Sequence, residues 1–196
     1  MTIQDLSKDI VLAKKAALES GKFLLNKKDQ INKRLNSDSK DVKLKADIES
    51  ENLIKSVISS ESKYPILAEE SGKSTEDLGE IYWVIDPLDG TANYSRDIPI
   101  CCVSIGLVKG MKPLLGVIYD FNNNQMYSGD IFTNSANMND IPINVSQKLD
   151  KKESILITGL PYNTDYSNNS LNNMIQDMQQ WQKIRMIGSA AMAACY

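Results

Sequence analysis

Residues 83–94 read Trp-Val-Ile-Asp-Pro-Leu-Asp-Gly-Thr-Ala-Asn-Tyr, WVIDPLDGTANY in one-letter form. The apolar start predicts a buried strand, and that strand ends on Asp86. A carboxylate at the mouth of a buried strand must be ionised and paired, or stay protonated. Pro87 sets φ between Asp86 and Asp89, and Gly90 permits a tight turn after them. Several acids meeting at one place require a cation, and hard oxygen ligands of this kind suit Mg²⁺ or Mn²⁺. An Asp/Gly turn that merely joins two strands uses the same residues, and DPLDG by itself leaves both readings open. Thr91 opens the next segment, GTANYSRDIP. Backbone N–H groups at the start of a turn or helix there would form an anion site. Metal-binding acids beside an anion site describe a phosphatase. A covalent aspartyl-phosphate enzyme uses D-x-D, with its acids two apart. Here they stand three apart, which favours water as the nucleophile.

Working outward, YPILAEE (64–70) reads as a second short buried strand closing on Glu69 and Glu70. Strands are expected at 101–109, 114–120, 125–129 and 153–158, with antiparallel pairing through 101–130. Toward the N-terminus, Leu6, Ile10, Ala13, Ala17 and Leu24 recur at helical spacing and predict a helix over 5–26. The polar stretch 27–41 reads as a loop. A second helix is expected from Ala46 to about Ser60, with Ile48, Ile54, Val57 and Ile58 facing inward. Toward the C-terminus, the Asn- and Gln-rich stretch 161–183 predicts a loop and then a helix from about Ser170, with Trp181 packing near its end. A strand at 184–187 follows, and Ser189 is placed to cap a helix through AAMAACY.

The 196 residues include no histidine. A Ser-His-Asp hydrolase, a histidine-ligated zinc enzyme and a phosphohistidine phosphatase are therefore excluded. Acid–base work falls to carboxylates, hydroxyls, lysines or metal-bound water. A 42% hydrophobic content and a net charge of −3 fit a globular chain with its own core, and that charge exerts no long-range pull on nucleic acid or anionic lipid. Charges interrupt the N-terminal residues, and no stretch approaches the ~20 apolar residues that span a membrane. Neither a nucleic-acid nor a membrane partner is expected. Cys101, Cys102 and Cys195 make an odd set, two of them adjacent in an apolar run, as in a reduced cytoplasmic protein with buried thiols. A cysteine-phosphatase loop needs an arginine six residues on, where Leu107 and Val108 stand instead.

WVIDPLDGTANY resembles the signature W-x-[IV]-D-P-[IL]-D-G-T-x-N-[FY] of the inositol monophosphatase family, among the lithium-sensitive, metal-dependent sugar phosphatases. IPICCVSIGL resembles the strand that follows it, ILAEESG is similar to the family's G-E-E-S, and KIRMIGSAAMAAC resembles R-x-x-G-[ST]-A-A. The resemblance implies a layered α-β-α-β-α sugar-phosphatase fold of the α/β class. Its N-terminal α+β part is expected over 1–145 and the start of its C-terminal α/β part over 146–196. It further implies hydrolysis of a small phosphorylated sugar or polyol with two or three Mg²⁺ ions, and a homodimer.

Residue by residue, Glu69, Asp86, the Leu88 carbonyl and Asp89 match metal ligands, with Asp86 bridging two ions. The amides of Gly90 and Thr91 match the phosphate cradle. Thr91 and Asp47 match the pair that orients the attacking water beside the ion at Glu69. Glu70 matches a supporting glutamate. Gly188, Ser189 and Ala190 match the segment lining the sugar side. The family's V-T-x-x-D becomes KLKAD here, with Leu44 in the threonine's place. Asp47 also reads simply as a helix N-terminal acid, and Gly188–Ala190 as a small-residue helix start. Arg185 fits either a pocket rim or a surface charge. Asn93-Tyr94 favours inositol monophosphate, with adenosine 3′,5′-bisphosphate, fructose 1,6-bisphosphate and histidinol phosphate as alternatives. The family carries a W-D-x-A-A-G motif, whose aspartate is a further ligand, beyond the position matching Tyr196. On that ground the C-terminal part is expected to be incomplete, and a non-catalytic metal- or phosphate-binding subunit is the rival reading.

Overall fold

The computed structural model describes residues 6–35, 43–160 and 164–196. Two helices come first, α1 (Ser7–Ile31) and α2 (Lys45–Glu61). The strands β1 (Ile66–Ala68), β2 (Gly72–Lys73) and β3 (Ile81–Asp89) follow, then a single-turn helix α3 (Thr91–Tyr94). Five more strands complete the large sheet: β4 (Cys102–Lys109), β5 (Lys112–Asp120), β6 (Gln125–Asp130), β7 (Ser135–Met138) and β8 (Ile141–Ile143). A second region holds β9 (Ile155–Thr158), α4 (Asn168–Met178), β10 (Lys183–Met186) and α5 (Ala190–Cys195).

The large sheet runs β2-β1-β3-β4-β5-β6-β7-β8, and β9 pairs β10 in a separate parallel ribbon. The pairing through 101–130 is antiparallel as expected. β1 and β3 are parallel, with Ala68 opposite Ile85, so both strands deliver their acids to the same end of the sheet. Between Asp86 and Asp89 the register against β4 slips: Asp86 faces Ser104 and Asp89 faces Cys102. Three steps along β3 thus match two along β4, a bulge that holds one extra residue. Pro87, which has no N–H for a ladder bond, sits within it. Simple alternation would send residues 86 and 89 to opposite faces. The bulge breaks that parity.

α1 and α2 cover one face of the sheet. Leu12, Ala13, Ala16, Ala17 and Leu24 of α1, with Ile54 and Ile58 of α2, share a core with Val103, Ile105, Leu107, Val117 and Tyr119. α1 runs five residues beyond the expected end, because Ile31 falls seven after Leu24 on the same stripe and is buried. The part of the expected loop at 36–41 lies outside the described residues. Ile48 does not face inward as expected but is 38% exposed. The inner stripe of α2 begins instead with Asp47, Ser50 and Glu51, all buried. The tyrosine that ends the motif, Tyr94, is buried and donates its hydroxyl to the Leu24 carbonyl at 2.7 Å, tying α3 to α1.

α5 packs on β4, β5 and β9. It lies over the sheet face opposite α1, since Cys102 touches Ser189 while its neighbour Val103 points into the helical core. A hollow of about 490 Å³ opens on this side, lined by Gly116, Ile118, Tyr127, Val145, Cys195 and Tyr196 among others, with none of the motif's acids on its wall. β7 and β8 were not anticipated: their residues are largely exposed and carry no apolar alternation. None of the three cysteines is in a disulfide. Among the described residues, no helix is long and apolar enough to cross a membrane.

Candidate active site

Glu69, Glu70 and Ser71 form the turn between β1 and β2, where Ala68 pairs with Gly72. The Glu69 N–H donates to the Ile85 carbonyl at 3.1 Å, one step past the β1–β3 ladder. This sets Glu69 beside Asp86, and the two carboxyl groups share a hydrogen bond. Burial first, then the charges of Glu69 and Asp89, hold Asp86 well above the usual carboxylate range. The Leu88 N–H donates to Asp86 Oδ1 at 3.1 Å and acts in the opposite sense. Two carboxyl groups in contact need a proton or a cation between them. The oxygen donors gathered here are the hard kind that fit Mg²⁺.

Asp89 is near enough to raise Asp86, yet its own oxygens are engaged by α5. Oδ2 accepts from the Ser189 hydroxyl at 2.5 Å and the Ala191 N–H at 2.6 Å, and Oδ1 accepts from the Ala190 N–H at 3.2 Å. Among the described residues, no three acidic or cysteine side chains are already drawn into a metal cage. Cys102 lies 3.9 Å from Asp89, and burial, reinforced by that charge, pushes its thiol far up, so it is no nucleophile.

The floor of the site is α2. Asp47 is 1% exposed. Its Oδ2 accepts the Leu44 N–H at 2.7 Å and its Oδ1 lies 2.8 Å from Thr91 Oγ1. Thr91 Oγ1 is also 3.0 Å from the Leu88 carbonyl oxygen, and its one proton serves either acceptor. Asp47 therefore caps α2 through the Leu44 amide and, with its other oxygen, contacts the motif threonine. Leu44 has no side-chain oxygen, so only this half of a capping box exists. Burial pushes Asp47 up to about 6, against the lowering effect of the Leu44 amide and the Thr91 hydroxyl.

One helical turn on, the Ser50 hydroxyl donates to the Pro87 carbonyl at 3.0 Å and shares a 2.6 Å hydrogen bond with Ser20. Glu51 accepts the Glu70 N–H at 2.8 Å. The Glu70 carboxylate pairs with Lys43. Ser50 and Glu51 escaped the sequence reading. The available signal was their place: 47, 50, 51 and 54 continue one helical stripe, and polar residues on a buried stripe mark a site.

Gly90 caps α3 with φ 92°, where a Cβ would lie 2.8 Å from the Ile100 carbonyl, so only glycine lets the chain turn here. The first amides of α3, at Gly90 and Thr91, are of the kind that a helix leaves without an intrahelical acceptor. Asn93 joins the two halves of the site. Its Nδ2 donates to the Ile100 carbonyl at 2.7 Å and to the Ile187 carbonyl at 2.8 Å. Gly188 packs on the same amide, and Ser189 caps α5 as expected, accepting the Met192 N–H at 3.2 Å. Arg185 is exposed and donates to the neighbouring Ile184 carbonyl, away from any described role. The structure thus brings Glu69, Asp86, Leu88, Asp89, Gly90, Thr91, Asp47, Gly188, Ser189 and Ala190 to one end of the sheet. Glu70 stands one residue back, turned to Lys43.

The sequence profile described as the inositol monophosphatase family matches residues 5–196. The Nus factor SuhB of Pasteurella multocida is 35% identical over 151 residues, covering 74% of this chain and 55% of that protein. The inositol monophosphatase of Mesembryanthemum crystallinum is 35% identical over 127 residues, covering 62% of this chain and 46% of its own length. The chain therefore spans about half the length of the curated relatives it matches. Among solved structures, the extragenic suppressor protein suhB of Bartonella henselae superimposes with a TM-score of 0.85 at 27% identity, over 97% of this chain and 74% of that one. The inositol monophosphatase of Anabaena (Nostoc) superimposes with a TM-score of 0.80 at 32% identity, over 98% and 71%. The layered α/β fold expected from the motifs is the fold of this chain.

Proposed function

Because the chain belongs to the inositol monophosphatase family, we propose that it hydrolyses a small phosphomonoester with Mg²⁺, inositol monophosphate being the first substrate to test. One observation carries this reading. The Glu69–Asp86 carboxyl pair and the Asp47–Thr91 hydrogen bond, from four separate elements or turns, face the same end of one sheet.

In this proposal Glu69, Asp86, the Leu88 carbonyl and Asp89 hold Mg²⁺, which when bound neutralises the phosphate and eases ionisation of water. The amides of Gly90 and Thr91 bind phosphate oxygens and fix the phosphorus in line. Thr91 Oγ1 orients the attacking water and relays its proton to Asp47 Oδ1, 2.8 Å away. A carboxylate raised to about 6 accepts that proton more readily than an ordinary aspartate near pH 7. Gly188, Ser189 and Ala190 present the polyol side. Asp89 would present to the metal whatever lone pairs its bonds to Ser189, Ala190 and Ala191 leave open, so the metal side and the polyol side would share this carboxylate.

The test is phosphate release from inositol 1-phosphate by the purified chain, with Mg²⁺ titration and EDTA. Asp86→Asn is expected to lower turnover at least about 100-fold, the upper end of what loss of an outer-shell group costs. Adenosine 3′,5′-bisphosphate, fructose 1,6-bisphosphate and histidinol phosphate complete the panel. No Mg²⁺-dependent release from any of them, by a chain whose circular dichroism shows it folded, refutes the proposal.

A further inference from the structure

Glu69 rides on a slender support. β1 has three residues and β2 has two, and β2 is the sheet's edge. A hairpin this short is marginal by itself. Its three-residue turn carries the acid that must meet Asp86 closely. Each residue of the turn nevertheless has an anchor. The Glu69 N–H is held by Ile85 at 3.1 Å. The next amide, Glu70 N–H, donates to Glu51 Oε2 at 2.8 Å. The Ser71 hydroxyl accepts from Lys55 Nζ at 2.9 Å. Lys55 in turn stands 3.5 Å from Glu51 Oε1, one helical turn away on α2.

Glu51 is 2% exposed. A buried carboxylate is costly unless paired and hydrogen-bonded. Packing of α2 does not require it, since Ile54 and Ile58 already fill the core. What Glu51 supplies is an acceptor oxygen on a side chain long enough to reach the peptide N–H that directly follows Glu69, which burial would otherwise leave unsatisfied. Fixing that peptide plane fixes the direction in which the Glu69 side chain leaves the turn. We propose that Glu51, with Lys55, is a positioning pair that anchors the 69–71 turn and holds Glu69 at its metal-binding geometry. The part of this concerning metal rests on the function proposed above.

Two conservative changes separate reach from charge. Glu51→Asp keeps the charge but shortens the side chain by about 1.5 Å, too much to span the bond to Glu70. Glu51→Gln loses the charge but keeps the length and an acceptor oxygen. In metal-free protein, hydrogen–deuterium exchange over 69–72 is expected to accelerate about 10-fold in Glu51→Asp and to stay near wild type in Glu51→Gln. Terbium luminescence titration, with Tb³⁺ standing in for Mg²⁺, is expected to show about 10-fold weaker binding for Asp and within about 3-fold of wild type for Gln, the lower end of an outer-shell effect.

A role confined to α2 packing or charge balance predicts the reverse order, or a lower melting temperature with turn exchange and Tb³⁺ affinity unmoved. Either result overturns the proposal. Should Glu51→Asp be too unstable to measure, Lys55→Met removes the second tie and is expected to give the same faster exchange and weaker Tb³⁺ binding. No change in either measurement overturns the proposal equally. Wild-type protein that hydrolyses no phosphomonoester, yet keeps the Asp/Gln contrast in exchange and Tb³⁺ binding, would refute the enzymatic reading while supporting the anchor.

Discussion

Replacing Asp47 with asparagine should stabilise the metal-free protein at neutral pH while removing the proposed phosphatase activity. Asp47 is 1% exposed and its carboxyl is raised from 3.8 to about 6, chiefly by burial. A raised acid binds its proton more tightly in the folded state. Stability is therefore highest below the unfolded value near 3.8, falls as pH rises through about 6, and stays lowered above that. The shift of roughly two units corresponds to about 3 kcal/mol forfeited at pH 7.5. Asparagine has no charge to desolvate. It offers only one oxygen to the Leu44 amide and the Thr91 hydroxyl, so one hydrogen bond worth about 1 kcal/mol is lost. The net gain of about 2 kcal/mol should raise the melting temperature by roughly 4–8 °C for a chain of this size. At pH 4 the gain should vanish or reverse. Melting of both proteins in EDTA from pH 4 to 8, with phosphate release measured alongside, checks each part. An asparagine variant that melts below wild type at pH 7.5, or a melting difference that does not change with pH, would refute the account of Asp47 as a buried, strained base.

Thr91→Val keeps the shape but removes the hydroxyl bonded to Asp47, and if that hydroxyl orients the attacking water as proposed, turnover should fall by about 100-fold or more. Asp47 also loses a hydrogen bond that lowers its pKa, so the acid limb of any residual pH profile should move to higher pH; a limb that stays put would separate Thr91 from Asp47. Gly188→Ala should destabilise the chain by about 1–2 kcal/mol, since φ is 74° and the new Cβ would lie 3.1 and 3.2 Å from the Asn93 amide atoms. Melting unchanged by that substitution would mean that Asn93 does not latch the 187–189 segment against α3.

The parts of this molecule legible in its sequence are those where one local rule decides. Gly90 needs a positive φ, and Ser189 precedes a small-residue helix; each stands where its chemistry predicts, whereas the strand expected to end on Asp86 runs on to Asp89. What the sequence concealed depends on pairing over distance. β1 and β3 lie parallel, and nothing in ILA or WVI specifies that direction, although it is what sets Glu69 beside Asp86. The bulge at Pro87 is invisible until β4 supplies the register it breaks. The bonds that Asp89 makes to α5 were equally hidden, because they join residues 100–102 positions apart.

The misreading of α2 is the most instructive of these. Treating Ile48 as inward assumed that a buried stripe is apolar throughout. The stripe is instead divided by what it faces. Ile54 and Ile58 meet the sheet's core, while Asp47, Ser50 and Glu51 meet the sheet's end, where strand termini leave amides and carbonyls to be satisfied. Each of those three side chains meets one polar group there: Asp47 the Thr91 hydroxyl, Ser50 the Pro87 carbonyl and Glu51 the Glu70 amide. Burying two carboxylates and a hydroxyl in a helix's first two turns works against stability, and the fold tolerates it at the one place where the acids above them have to be held in register. The helix that contributes no metal ligand in the proposed site thereby sets the geometry of those that do.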